Sequence, residues 1–85
     1  MGNYKLLIKP SAANELEAIP KRDRLRIVRK IQALVQNPRP PGYEKLSAEE
    51  KYRVRQGWYR IVYAVDDQNK TALVVKVGHR REVYR

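Results

Sequence analysis

Two strand-like runs, divided by a polar turn, occupy the last third of this chain, and their arginine spacing restricts the fold to a sheet with one apolar and one cationic face. The first reads Tyr-Arg-Val-Arg-Gln-Gly-Trp-Tyr-Arg-Ile-Val-Tyr from Tyr52 to Tyr63, the second Val-Val-Lys-Val-Gly-His-Arg-Arg-Glu-Val-Tyr from Val74 to Tyr84. Side chains of a strand alternate between its faces, so a period-two count sorts these residues. Arg53 and Arg55 share a face and Val54 opposes them. Tyr59, Ile61, Tyr63 and Val65 form one row, with Trp58, Arg60, Val62 and Ala64 in the other. In the last run Leu73, Val75 and Val77 are expected to oppose Lys76 and Arg80. When the apolar rows share one core, Arg53, Arg55, Arg60, Lys76 and Arg80 gather on the opposite surface, an arrangement suited to several phosphates at once.

The charge balance agrees with that surface. Nineteen Lys and Arg against 9 Asp and Glu give a formal charge of +10 and a pI near 10.2. Such a balance calls for an anionic partner: nucleic acid, a membrane surface or an acidic protein. Clustering on the sheet favours nucleic acid. The 85 residues make a single domain, 1–85, with a core just large enough to fold alone. Absence of cysteine excludes disulfides and cysteine-bound zinc. Neither a metal nor a cofactor is expected. The one apolar run near the N-terminus, Leu6-Leu7-Ile8, is too short for a signal peptide or a membrane span, so a cytoplasmic location is expected.

The rest of the chain supplies the layer that covers the apolar face. Tyr4, Leu6 and Ile8 alternate with Lys5, Leu7 and Lys9 in a first strand ended by Pro10. Ser11 is positioned to cap a helix carrying Ala12, Leu16 and Ile19, and Pro20 either stops it or serves the turn into the next helix. From Lys21 to Asn37, Leu25, Val28, Ile31, Leu34 and Val35 recur at helical spacing, with Arg22, Arg26, Arg29 and Lys30 mostly on the other side. Pro38, Pro40, Pro41 and Gly42 impose an irregular connection as far as Lys51, with Leu46 as its expected anchor. Gln56-Gly57 and Asp66 to Lys70 are the expected turns. The resulting fold is α+β: an N-terminal strand, a helical hairpin, then a three-stranded antiparallel meander, in one mainly antiparallel sheet with helices on one face.

In element order, and most sharply in Asn37-Pro38 through Lys45-Leu46, Tyr52 to Tyr63 and Val77 to Tyr84, the chain resembles the RelE branch of the RelE/ParE toxin superfamily. The resemblance implies the toxin half of a type II toxin–antitoxin pair. It implies a small metal-independent endoribonuclease that enters the ribosomal A site and cuts messenger RNA there, blocked by an acidic, RelB-like antitoxin. The antitoxin complex would also bind operator DNA. ParE-type toxins, which share the fold and much of the Tyr-Arg hairpin, imply the alternative of a protein that inhibits DNA gyrase without cutting RNA.

Metal-free RNA cleavage needs a base for the 2′-hydroxyl proton, cations for the phosphorane-like transition state and an acid for the departing 5′-oxygen. By resemblance the basic-x-basic pair of the family falls on Arg53 and Arg55. The arginine after Gly-x-Tyr is Arg60, the one after Gly-basic is Arg80, and the near-terminal tyrosine is Tyr84. Lys76 and Arg81 join Arg53 and Arg55 as expected phosphate contacts. Arginine stays protonated in proteins, so Arg53 and Arg55 can hold phosphate but not act as a base where relatives carry lysine. That leaves His79, of the one residue type that ordinarily titrates near neutrality, and Tyr84, set among many cations, for proton transfer, with His79 the expected proton carrier and Tyr84 its partner or substitute. Trp58 either stacks on a base or covers the hairpin, while Tyr59 and Tyr63 read as core and sheet-edge aromatics.

Overall fold

The computed structural model describes residues 3–46 and 51–79. Strand β1 (Lys5–Ile8) leads into helices α1 (Pro10–Glu17) and α2 (Lys21–Leu34), followed by β2 (Glu44–Lys45), β3 (Lys51–Gln56), β4 (Tyr59–Asp66) and β5 (Thr71–His79). These form one five-stranded sheet in the order β1-β5-β4-β3-β2, with β1 parallel to β5 and every other pair antiparallel. The α+β fold and the meander are as expected. The two-residue β2, which pairs Glu44 with Arg53 and Lys45 with Tyr52, was not legible and adds a strand to the edge.

Proline sets the helix boundaries by a route different from the one expected. Lys9 precedes Pro10 and is therefore held extended, at φ −60° and ψ 143°. It serves as the N-cap, with Pro10 as the first helical residue, where its fixed φ fits and no amide is missed. Ser11 consequently lies inside the helix and does not cap it. Helix α1 closes earlier, at Glu17 with Ala18 as its C-cap, and Pro20, also extended, stands as N-cap of α2. The Arg24 guanidinium donates to the carbonyl of Glu17 at 3.2 Å, satisfying an end of α1.

Ala12, Ile27, Ile31 and Leu34 from the helices, and Ile19 from the turn between them, meet Tyr52, Val54, Ile61, Tyr63, Val65, Val74 and Val77 from the sheet in one core. Ile27, Ile31 and Leu34 are the buried stripe of α2; Leu25, expected among them, is 51% exposed. On β5 the expected row of Leu73, Val75 and Val77 is replaced by Ala72, Val74 and Val77. Val62 pairs with Lys76 but Tyr63 with Val74, so Val75 is an extra residue in a β-bulge. The bulge resets the alternation, and Lys76 still falls on the face opposite the core.

The proline-rich connection is held by polar contacts and aromatic packing rather than by Leu46, which is 40% exposed. Buried Tyr63 donates its hydroxyl to the carbonyl of Pro38 at 2.5 Å. Arg39 donates to both carboxylate oxygens of Asp67 at 3.2 and 2.9 Å and to the Tyr52 hydroxyl at 3.0 Å, its guanidinium lying 5.0 Å from the Tyr52 ring centre. The Tyr4 hydroxyl donates to Asp67 at 2.6 Å, so one carboxylate joins the residue just before β1, the connection and the β4–β5 turn. Hydrogen bonds from Arg39 and then Tyr4 hold the Asp67 carboxyl down at about 2, from an ordinary value of 3.8. A depressed carboxylate stabilises the fold above its unfolded value and loses that contribution as pH falls through the folded one. The stability difference between wild type and Asp67→Asn is therefore expected to be full above pH 3.8 and to vanish towards about 2. Parallel urea melts across that window check it, and a difference independent of pH would remove the clamp from acid stability.

Candidate functional site

The open face of the sheet carries the cations. Across β3, β4 and β5 the register places Arg55 opposite Arg60 and Arg60 opposite Gly78, while Arg53 opposes Val62 and Val62 opposes Lys76. Arg53, Arg55, Arg60 and Lys76 thus share the surface away from the helices, as the alternation predicted. Their surroundings differ. Arg53 donates from Nε and Nη2 to the Glu44 carboxylate at 3.2 and 3.0 Å, an ion pair supplied by β2. Lys76 donates to Glu15 of α1 at 2.9 Å, and the same carboxylate accepts the amide of Val77 at 3.0 Å. Strand β1 ends at Ile8, opposite Val74, so Glu15 takes over the edge of β5 that β1 no longer covers.

Arg55 and Arg60 form the centre of the site. Arg60 is the one charged side chain buried among the described residues, at 4% exposure, while Arg55 is exposed. Both line a groove of about 410 Å³ completed by Gly57 and Trp58. The hairpin turn is Gly57-Trp58, one residue later than expected, with Gly57 at φ +61°. Glycine at the first central position is the pattern of a type II′ turn, whose twist suits a tight hairpin. A cation in a low-dielectric setting attracts an anion more strongly than one in water, so Arg60 is the stronger electrostatic element of the two.

His79 falls elsewhere. It is the register partner of Tyr59, with ring centres 5.8 Å apart and edge-to-face, on the helix side of the sheet. There it lines a crevice of about 270 Å³ with Glu15, Ile19 and Pro20. The structure therefore brings Arg55 and Arg60 together and sets the His79 ring across the sheet from them. Arg80, Arg81 and Tyr84 lie outside the described residues.

Two further surfaces accompany the site. Towards the other end of the open face, Leu7, Ala64 and Leu73 form the floor of an apolar groove of about 550 Å³ edged by Lys51, Asp66 and Thr71. On α2, Arg22, Arg26 and Arg29 are exposed. Among the described residues no helix is long and apolar enough to cross a membrane. Sequence reasoning missed Glu15, Glu44 and Arg39, the partners that orient the cations and the connection. Their only signal was charge type, because each reaches its partner through a contact distant in sequence or through an unforeseen strand.

Comparison with known proteins gives this geometry a family. The chain is similar to the archaeal RelE in the RelE–RelB complex of Pyrococcus horikoshii, at 26% identity over 92% of this chain and 96% of that one, with a TM-score of 0.83. It is similar to the isolated Escherichia coli RelE toxin, at 26% identity over 95% and 90% of the two chains, with a TM-score of 0.80. Toxin RelG of Mycobacterium tuberculosis is 38% identical over 34 residues, a match that spans 40% of this chain and 39% of RelG. Residues 6–84 match the family of ParE toxins of type II toxin–antitoxin systems, parDE. The chain belongs to the RelE/ParE superfamily of toxins, the toxin components of type II toxin–antitoxin systems.

Proposed function

We propose that this toxin is a ribosome-dependent endoribonuclease that cleaves messenger RNA in the A site and so halts translation. The observation that carries this reading is the Arg55–Arg60 pair, set opposite one another on the open sheet face. Two guanidiniums on adjacent strands can bind the non-bridging oxygens of one phosphate and stabilise the extra negative charge of the phosphorane-like transition state. Arg53 and Lys76, held in pairs with exposed or half-exposed carboxylates, extend the electrostatic field along the RNA; such pairs are weak and yield to phosphate. Arg80 and Arg81 complete the phosphate contacts. In this mechanism the 2′-oxygen attacks phosphorus, its proton is removed, and the 5′-oxygen leaves with a proton. Because the His79 ring faces the helix side, we assign proton transfer to Tyr84, with His79 as its alternative. The ribosome supplies substrate positioning, so naked RNA is a poor substrate.

A type II toxin of charge +10 requires an acidic antitoxin, and the apolar groove of Leu7, Ala64 and Leu73 beside the cations suits a segment that combines apolar and acidic residues. The solved relative from Pyrococcus horikoshii is itself a complex of RelE with RelB, which supports a RelB-like partner. Such a complex also binds operator DNA in this reading, and the toxin acts in the cytoplasm.

Toeprinting of translated messages with and without the protein tests the activity: cuts within A-site codons are expected, with gyrase supercoiling unaffected. In single-turnover cleavage on programmed ribosomes, Tyr84→Phe is expected to lose about 10²-fold or more. His79→Gln should keep most of the wild-type rate; a collapse in that variant, with Tyr84→Phe active, would return the proton-transfer role to His79. The family match to ParE toxins favours a second reading, inhibition of DNA gyrase without RNA cleavage. Supercoiling blocked while messages stay intact would establish it.

A further inference from the structure

We propose that Trp58, with Arg55 and Arg60, forms a single-nucleotide subsite for single-stranded RNA, the base stacked on the indole and its phosphate held by the two guanidiniums. The proposal deepens the nuclease reading and takes the RNA substrate from it. Trp58 is the most exposed large apolar side chain of the described residues, at 64%, and it stands at the tip of the β3–β4 hairpin where core packing does not require it. The left-handed φ of Gly57 allows a turn of only two residues, so the indole is carried directly beside the Arg55–Arg60 pair.

The groove's lining defines the ligand. Among the described residues it consists of two guanidiniums, an indole and the side-chain-free backbone of Gly57. Its volume of about 410 Å³ falls in the range of small-ligand sites. An anion with a π face attached matches all three side chains, whereas the carboxylate of an acidic peptide matches only the arginines. The base must be unstacked from its neighbours to lie on the indole, which selects a single strand over a duplex.

Trp58 is the only tryptophan, so the protein's own emission reports on the subsite. The probe is a short 2′-O-methylated oligoribonucleotide, which cannot be cleaved through its 2′-oxygen. Titrated into the full chain, it is expected to quench the emission saturably, while an abasic strand of the same length binds without quenching and a duplex quenches little. By anisotropy, Trp58→Ala should weaken the single strand by about tenfold or more, and Trp58→Phe should recover most of it. Single-strand binding that is unchanged in Trp58→Ala and leaves the emission unmoved would overturn the subsite; A-site cleavage that persisted would leave the nuclease reading standing. Emission that responds to an acidic peptide but not to RNA would also overturn it, in favour of a protein contact. Quenching and the Trp58→Ala loss without cleavage of messages on ribosomes would support the subsite and remove the nuclease reading instead.

Discussion

Arg60→Ala is expected to lower A-site cleavage by about 10²-fold or more while the domain stays folded, because it deletes a guanidinium aimed at developing negative charge. The effect should exceed that of Arg55→Ala. Arg55 is exposed and its field is screened by water, whereas Arg60, at 4% exposure, acts through a medium of lower dielectric constant. Structural damage should be small, since Arg60 lies across the sheet from the helix-packed core and its register partners are Arg55 and Gly78. Arg60→Lys keeps the charge but loses the planar fork that binds two oxygens together, so it should fall between the two. Single-turnover rates on programmed ribosomes, paired with thermal melts of each variant, decide the matter. A folded Arg60→Ala protein that cleaves at the wild-type rate would exclude the arginine pair as the electrostatic centre.

Tyr63→Ala should have the largest effect on stability. The side chain is fully buried at the middle of β4, and its hydroxyl ties the proline-rich connection to the core through Pro38. Removing a buried aromatic ring costs about 3–5 kcal/mol, a large share of the roughly 5–15 kcal/mol that holds a domain of this kind together. Tyr63→Phe keeps the ring but strands a buried carbonyl, and should cost about 1–3 kcal/mol. Burial also pushes the Tyr63 phenol above its ordinary range, so the hydroxyl remains a donor through neutral and moderately alkaline pH. Urea denaturation of the three proteins at neutral pH measures both steps. Equal midpoints for wild type and Tyr63→Phe would show that the Pro38 bond contributes nothing.

The sequence by itself determined the α+β class, the helical hairpin between the first strand and the meander, and the gathering of Arg53, Arg55, Arg60 and Lys76 on one surface. Period-two and helical spacing are local properties, and they survive wherever the backbone follows its regular pattern. Only the tertiary structure decided the rest. The β-bulge at Val75 moved the core row of β5 to Ala72, Val74 and Val77, because one extra residue reverses the alternation and its position depends on pairing with β4. Leu25 and Leu46 are apolar but exposed, because spacing along the chain does not say which side of a helix or loop the core will cover. The pairing of Arg53 with Glu44 needed the short β2, and that of Lys76 with Glu15 needed α1 to pass the uncovered edge of β5. Placement of His79 on Tyr59 and of Trp58 beside Arg60 likewise follows from strand register and turn geometry. Side chains far apart in the chain meet only when packing sets the distances, and a one-dimensional pattern carries no such distances.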